Sequence, residues 1–425
     1  MVLKLAQCSF LLLIFSLPFV RPFSVSIAGL VVPTTDFIFL VTAGLTAVAL
    51  IRREMDLRYD RAFLAVLIYA GSLSVTVVFP DASFVKLLGE FYLFGLCFLT
   101  FLHCGDPEFC RKILIVWLAA TTVTCFLSLL GVVLFYAGMA TESDNYFLSR
   151  VGSLPAGNYP RVQSLFANPN MLCNYLNVSI PLIWYALKKE WFSRSVVIAA
   201  FTISIIAAVF TMSPGLGGIA LSLGLIGYLF CSGHKRRTVA VCAGALIAAG
   251  FLAMTLISPD TENTEQQIHL PFVEKALEPS VRVLVWENAL ARASEFPIFG
   301  RGIGSGPAQL KYQTLSGEKQ LLTDAHNIYL DVLGQAGIVG LATFLFLIIQ
   351  IFRRTYFGYR DPKDLVIVLG SAFAGSVIYQ GLSGSFEDAR HIWILIGMLI
   401  AVSSIKGGEN DISQASKELL LHPSN

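Results

Sequence analysis

Three residues have side chains suited to chemistry on a phosphorylated substrate: Arg161, Arg282 and His326. An arginine offers a planar fork of N–H donors that matches phosphate oxygens two at a time and stays charged at any working pH. A histidine ordinarily titrates near pH ~6.5, so it takes or gives a proton near neutrality. Two forks and one imidazole at a common place suit a diphosphate-linked substrate and a hydroxyl acceptor. The same residues also have plainer uses, since interfacial arginines anchor lipid headgroups and an interfacial histidine is often only solvated. Their surroundings are more distinctive. Arg161 opens R-V-Q-S-L-F-A-N-P-N, where Pro169 removes a backbone donor. The flanking Asn168 and Asn170 have side chains that either cap a helix or form a polar notch. Arg282 opens R-V-L-V-W-E-N-A-L, followed by F-P-I-F-G-R-G-I-G-S-G. His326 opens an H-N, nine residues, G-x-x-G element, in which Gly337 and Gly340 permit close helix packing.

The elements that must position these residues are apolar. The chain has 425 residues, 55% hydrophobic and 14% charged, with a mean hydropathy of +0.70. A soluble domain carries roughly 25% charged residues, so a soluble enzyme, a disordered protein and a nucleic-acid binder are excluded. A net charge of only +2 gives no ground to infer a polyanion-binding surface, and the placement of the charges matters more than their sum. Twelve apolar segments follow one another, at about 5–20, 34–51, 62–79, 84–102, 113–137, 165–187, 195–211, 215–231, 238–257, 327–352, 365–384 and 391–405. The first has the composition of a signal peptide, but eleven further spans follow and it is read as a retained helix. The expected fold is all-α: a polytopic membrane bundle of about twelve transmembrane helices with a large outward-facing, periplasmic, helical loop.

Charge placement orients the bundle. Nineteen of the 30 basic residues lie at the termini and in alternate connectors, among them Arg52, Arg53, Lys188, Lys189, Lys235 and Arg236. The opposite short connectors hold five: Arg21, Lys86, Arg150, Arg161 and Arg390. The remaining six lie in the long loop, where the positive-inside rule has little force. Both termini are therefore expected in the cytoplasm and residues 258–326 outside. That loop begins with the acidic stretch Pro259–Glu265 and continues into an amphipathic helix from about Ser280 to Glu295. Pro279 and Ser280 start the helix, Pro297 and Gly300 end it, and Val281, Leu284, Val285 and Leu290 are its apolar positions. A second outer loop, 138–164, is rich in Gly, Ser, Asn and Pro.

Other candidates carry weaker signals. Six of the eight cysteines lie in apolar runs, and the C-x5-C pair Cys104 and Cys110 lacks a common zinc or redox spacing. The run Gly300–Gly306 follows no strand and reads as a tight turn rather than a nucleotide loop. Asp331, Glu387 and Asp388 are possible partners for His326. Asp331 is five residues on and faces elsewhere on a straight helix, which favours Glu387 or Asp388. Glu90, inside an apolar span, is costly to bury and is expected to pair with Lys86.

Taken together these motifs resemble the O-antigen ligase and O-antigen polymerase superfamily of multi-span membrane glycosyltransferases. The resemblance covers about 160–345 and rests on R-x3-W with P-x2-G-x-G, then H-N-x9-G-x-x-G. It implies an enzyme that moves a glycan from undecaprenyl diphosphate to a hydroxyl acceptor, such as lipid A-core, a glycan or a protein. It implies a bacterial inner-membrane location, a metal-independent inverting transfer and no cofactor. Arg282 falls on the family's loop arginine, His326 on its proposed base and Arg161 on the arginine before N-P-N. The substrate-binding set is then Arg161, Asn168, Asn170, Arg301 and Asn327, around a catalytic pair of His326 and Arg282. One feature departs from the pattern: the family's Ser-Arg pair between spans seven and eight is here Ser213-Pro214. Arg301 or Arg150 would have to replace the missing cation. The chain divides into N-terminal helices and first outer loop (1–160), a ligase-like core (161–352, with outer loop 258–326) and C-terminal helices and tail (353–425). The rivals are a twelve-span secondary transporter and a non-catalytic envelope scaffold. Against the transporter stand the absence of an internal repeat and the scarcity of intramembrane charge.

Overall fold

A backbone inside a bilayer must satisfy its own hydrogen bonds, and an α-helix does so within one segment. The computed structural model obeys that constraint. It describes residues 1–20, 24–27, 30–139, 147–154, 157–258, 278–279, 281–313, 319–356, 364–383 and 390–404. Among these, the helices are α1 (Val2–Ser16), α2 (Thr34–Ile51), α3 (Ala62–Val75), α4 (Phe84–His103), α5 (Pro107–Tyr136), α6 (Pro169–Lys188) and α7 (Arg194–Phe210). They continue with α8 (Leu216–Phe230), α9 (His234–Leu256), α10 (Val281–Ala293), α11 (Ile328–Tyr356), α12 (Asp364–Ser383) and α13 (Arg390–Ser404). Each apolar segment of the sequence is helical, and α10 is the helix of the long loop. Six helices, α2, α4, α5, α9, α11 and α12, are long and apolar enough to cross a membrane by themselves. Five shorter apolar helices accompany them. The chain is thus an all-α, multi-pass membrane protein. Among the described residues strands are confined to antiparallel pairs of two to seven residues a strand: β1 (Ser24–Ile27) with β2 (Leu30–Pro33), β3 (Leu148–Leu154) with β4 (Gly157–Val162), β5 (Ile257–Ser258) with β6 (Glu278–Pro279) and β7 (Leu310–Gln313) with β8 (Lys319–Leu322).

Polar and small residues set how closely the helices meet. Asn177 of α6 accepts from Ser222 of α8 at 3.1 Å and donates to Ser376 of α12 at 3.4 Å. Beside it, Gly218 and Gly375 bring α8 and α12 into backbone contact, since a Cβ on Gly218 would lie 2.5 Å from the Gly375 carbonyl oxygen. At the far end of the bundle Arg354 grips both carboxylate oxygens of Asp60 and also reaches Ser403 and Ser404.

The glycine motifs join the long loop to the bundle. α11 breaks at Gly337, whose φ of 63° and ψ of −163° only glycine tolerates. The break lets the amides of Ile338 and Val339 donate to the carbonyls of Pro297 (2.8 Å) and Ile298 (3.2 Å). In return the Arg301 and Gly302 amides donate to the Gly334 and Gln335 carbonyls, each at 3.0 Å. A Cβ on Gly337 would stand 2.3 Å from the Ile298 carbonyl oxygen. P-x2-G-x-G and G-x-x-G are therefore the two halves of one backbone-to-backbone joint. The same loop meets the N-terminal helices, where Ser83 donates to the Ile303 carbonyl at 2.6 Å and Ile303 donates to Thr76 Oγ1 at 3.1 Å.

α10 differs from expectation in its face. Val285, Ala289 and Ala293, four residues apart, are buried, whereas Leu290 is 51% exposed. Small residues fit because this side packs tightly against Ala308 and Ala325, and Trp286 closes the cluster.

Candidate functional site

His326 sits in the turn that leads into α11, and that turn is held from three sides. Trp286 Nε1 donates to the Ala325 carbonyl at 2.9 Å. The buried Asp331 accepts from the Ala325 amide at 3.3 Å. Asp324 Oδ1 accepts from the His326 amide at 2.7 Å. This network keeps His326 at a φ of 50°, a region that a non-glycine residue enters only when its surroundings demand it. The ring is fixed too: His326 Nδ1 lies 3.1 Å from Asp324 Oδ2, with the two side chains 43% and 40% exposed. A ring that gives its Nδ1 hydrogen to a carboxylate keeps Nε2 as the acceptor. Burial acts to raise the Asp324 pKa, but the hydrogen bonds and charge of His326, with a smaller contribution from Lys86, outweigh it and hold the carboxyl below the usual range.

Arg282 lies one turn of α10 from Trp286, and Arg161 comes from β4. Arg282 and Trp286 are four residues apart and share a face. Arg282 Nη1 donates to the Leu382 carbonyl at 2.5 Å, at the end of α12. Arg161, at the end of β4, donates through Nε to the Thr211 carbonyl at 3.1 Å and through Nη2 to Asn170 Oδ1 at 3.5 Å. Tyr379, one turn before Leu382 on α12, donates its hydroxyl to the Asn170 carbonyl at 2.7 Å. Asn170 thus joins Tyr379 of α12 to Arg161, and Tyr379 acts electrostatically on both guanidinium groups. Burial lowers the pKa of both, and the positive charge of Arg161 adds to the effect at Arg282, while Tyr379 and Asp324 oppose it there. Among the described residues neither arginine makes an ion pair.

The remaining candidates have stated partners. Asn168 Oδ1 caps α6 by accepting from the Met171 amide at 2.9 Å, so the helix-cap use of N-P-N is met, while Asn170 belongs to the arginine cluster. Asn327 Oδ1 caps α11, accepting from the amides of Tyr329 (3.0 Å) and Leu330 (3.4 Å). Arg301 pairs with Glu295 and, at 3.8 Å, with Asp81, and lies over the Phe296 ring. Its charge is spent at the Gly-rich joint rather than beside Arg282. The amides of that joint are likewise used within the protein, Gly304 donating to Gln335 Oε1 at 2.7 Å. Ser213 is buried next to Thr211, the residue that receives Arg161. Arg161 therefore contacts the connector that carries Ser213-Pro214. Glu387, Asp388 and the Arg150 side chain lie outside the described residues. The carboxylate at the His326 ring is Asp324, which the sequence reading passed over, and Asp331 supports the turn instead. A short signal existed, because an aspartate two residues ahead of a turn residue readily accepts its amide. Tyr379 has no local signal.

Residues 196–345 match the family model described as O-Antigen ligase. That segment is similar to O-antigen ligases. The match spans α7 to the middle of α11 and includes Arg282, Arg301, His326 and Asn327. Arg161, Asn168, Asn170 and Tyr379 reach the site from outside that span. No curated protein matches the chain.

Proposed function

We propose that the protein transfers a glycan from undecaprenyl diphosphate to a hydroxyl acceptor, at the outer face of the bacterial inner membrane. The observation that carries this reading is the arrangement of Arg161 and Arg282 around the end of α12, beside His326. Two half-buried guanidinium groups without an ion-pair partner among the described residues are an anion receptor. The superfamily supplies the reaction class, a glycan transfer in surface-polysaccharide synthesis. In the proposed step His326 Nε2 takes the proton of the acceptor hydroxyl, whose oxygen forms a bond to the anomeric carbon. The anomeric carbon–oxygen bond to the diphosphate breaks, and the leaving diphosphate keeps the electron pair. Arg282 and Arg161 stabilise that charge. Displacement by a single external oxygen inverts the anomeric centre, and the step assigns no role to a metal. In this reading twelve helices cross the membrane, both termini are cytoplasmic, and residues 258–326 face outward.

A deletion strain tests the reading. It is expected to accumulate glycan on undecaprenyl diphosphate and to lose that glycan from its acceptor. Analysis of lipopolysaccharide, free polysaccharide and glycoproteins then separates ligase, polymerase and protein-glycosylating variants. An unchanged lipid-linked pool and unchanged surface glycans would refute the assignment.

A further inference from the structure

We propose that Asp324 and Lys86 are positioning residues of this transfer: Asp324 fixes the His326 ring through Nδ1, and Lys86 of α4 holds Asp324 in place. The inference rests on His326 acting as the base. Asp324 acts through His326 and not on the substrate, since its two oxygens serve that one neighbour. Oδ1 takes the His326 amide at 2.7 Å and Oδ2 faces Nδ1 at 3.1 Å. The first bond sets the backbone and the second sets the ring and its tautomer. When Nε2 takes the acceptor proton, the imidazolium that results lies against a carboxylate.

Lys86 enters from the other half of the protein. Ser83, the N-cap residue of α4, accepts from the Lys86 amide at 3.3 Å and donates its own amide to Ile303. That bond sets the first turn of α4 against the Gly-rich joint. Gly304, at a φ of 84°, gives room for the Lys86 stem, because a Cβ there would stand 3.1 Å from Lys86 Cβ. Two residues on, a Cβ on Gly306 would meet Thr323 Cβ at 3.0 Å, and Ala308 donates to the Thr323 carbonyl at 3.2 Å. The glycines thus act as spacers that let α4 and the Thr323–Asp324 segment approach the same loop from two sides. The positive charge of Lys86 acts to lower the Asp324 pKa. The charges acting on the Asp324 carboxylate are then those of His326 and Lys86, while Asp324 in turn acts on Arg282 of α10 and Asp331 of α11 faces the Ala325 amide. The family segment ends up with a base whose geometry is completed from α4, more than a hundred residues before that segment begins.

The test uses the full-length protein in proteoliposomes, with lipid-linked glycan extracted from the deletion strain as donor. Asp324→Asn keeps an oxygen for the His326 amide but loses the charge. It should lower kcat by about tenfold or more, the cost of one charge-assisted hydrogen bond. KM for the donor should stay within about twofold, since the arginines are untouched. Asp324→Glu should recover part of kcat. Lys86→Gln should show a smaller loss in the same direction, and Lys86→Arg should restore it. If Asp324→Asn keeps the wild-type kcat while His326→Ala is inactive, Asp324 is only a turn support and the inference fails. If His326→Ala is active as well, the proposed base is what fails. Should Asp324→Asn reduce protein abundance, Lys86→Gln decides, since it leaves the turn bonds intact: an unchanged kcat there overturns the role of Lys86 and of the charge on Asp324.

Discussion

Replacing Arg282 by lysine tests geometry rather than charge. Arginine carries five N–H donors in a fixed fork, and one of them is spent on the Leu382 carbonyl. The others remain to face the Arg161–Tyr379 side of the cluster. Lysine keeps the charge, so it still complements the carbonyl end of α12, an effect of about 0.3–1 kcal/mol. The fold should therefore survive. What lysine lacks is a second parallel donor for the diphosphate. One charge-assisted hydrogen bond is worth about 1.5–3 kcal/mol, which is roughly a 10- to 150-fold loss in kcat/KM. Most of the loss should fall on kcat, because charge on the diphosphate grows as the bond breaks. Arg292 is the internal control. It lies ten residues further along α10, about 80° around the helix from Arg282 after full turns. Arg292→Lys should keep activity within about twofold. The assay is the initial rate of transfer in proteoliposomes, normalised to membrane abundance. Equal rates for the two variants would mean that α10 anchors lipid or stabilises α12 without holding substrate.

Three other outcomes are expected. His326→Ala should accumulate normally, because its side chain is 43% exposed, and should lose about 10²- to 10⁴-fold in transfer; near-normal transfer would remove it from the mechanism. Gly337→Ala should destabilise the protein by about 3 kcal/mol or more, since it combines a glycine-only backbone with a Cβ 2.3 Å from the Ile298 oxygen. Gly44→Ala, with nothing within 4 Å of the new Cβ, should be tolerated, and equal melting temperatures for the two would contradict the joint described above. A single cysteine at 258–270, in a cysteine-free background, should react with an impermeant thiol reagent in intact spheroplasts, while one at 232–238 should not. The reverse pattern would put His326 on the cytoplasmic side.

Helix positions were legible in the chain because hydropathy acts over windows of about 20 residues and a bilayer leaves a lone segment no alternative to the helix. Arg161, Arg282 and His326 were legible for a similar reason, each lying in a motif that spans a few turns. The use of those motifs was not. R-x3-W read as half of an amphipathic helix, yet its arginine caps α12 and its tryptophan pins the turn before His326. H-N read as base and binder, and Asn327 also caps α11. The partners that complete the site come from distant segments: Arg161 meets a carbonyl 50 residues away, and Arg282 one 100 residues away. Asp324 is near His326 in sequence but carries no motif, and the left-handed turn at φ 50° sets its carboxylate at the ring while Asp331 faces the Ala325 amide. Local pattern determines which segments are helices, because each helix closes its own hydrogen bonds. Which side chains meet depends on where glycines let backbones touch, and that is settled only when Gly300, Gly302 and Gly304 dock against α4 and α11.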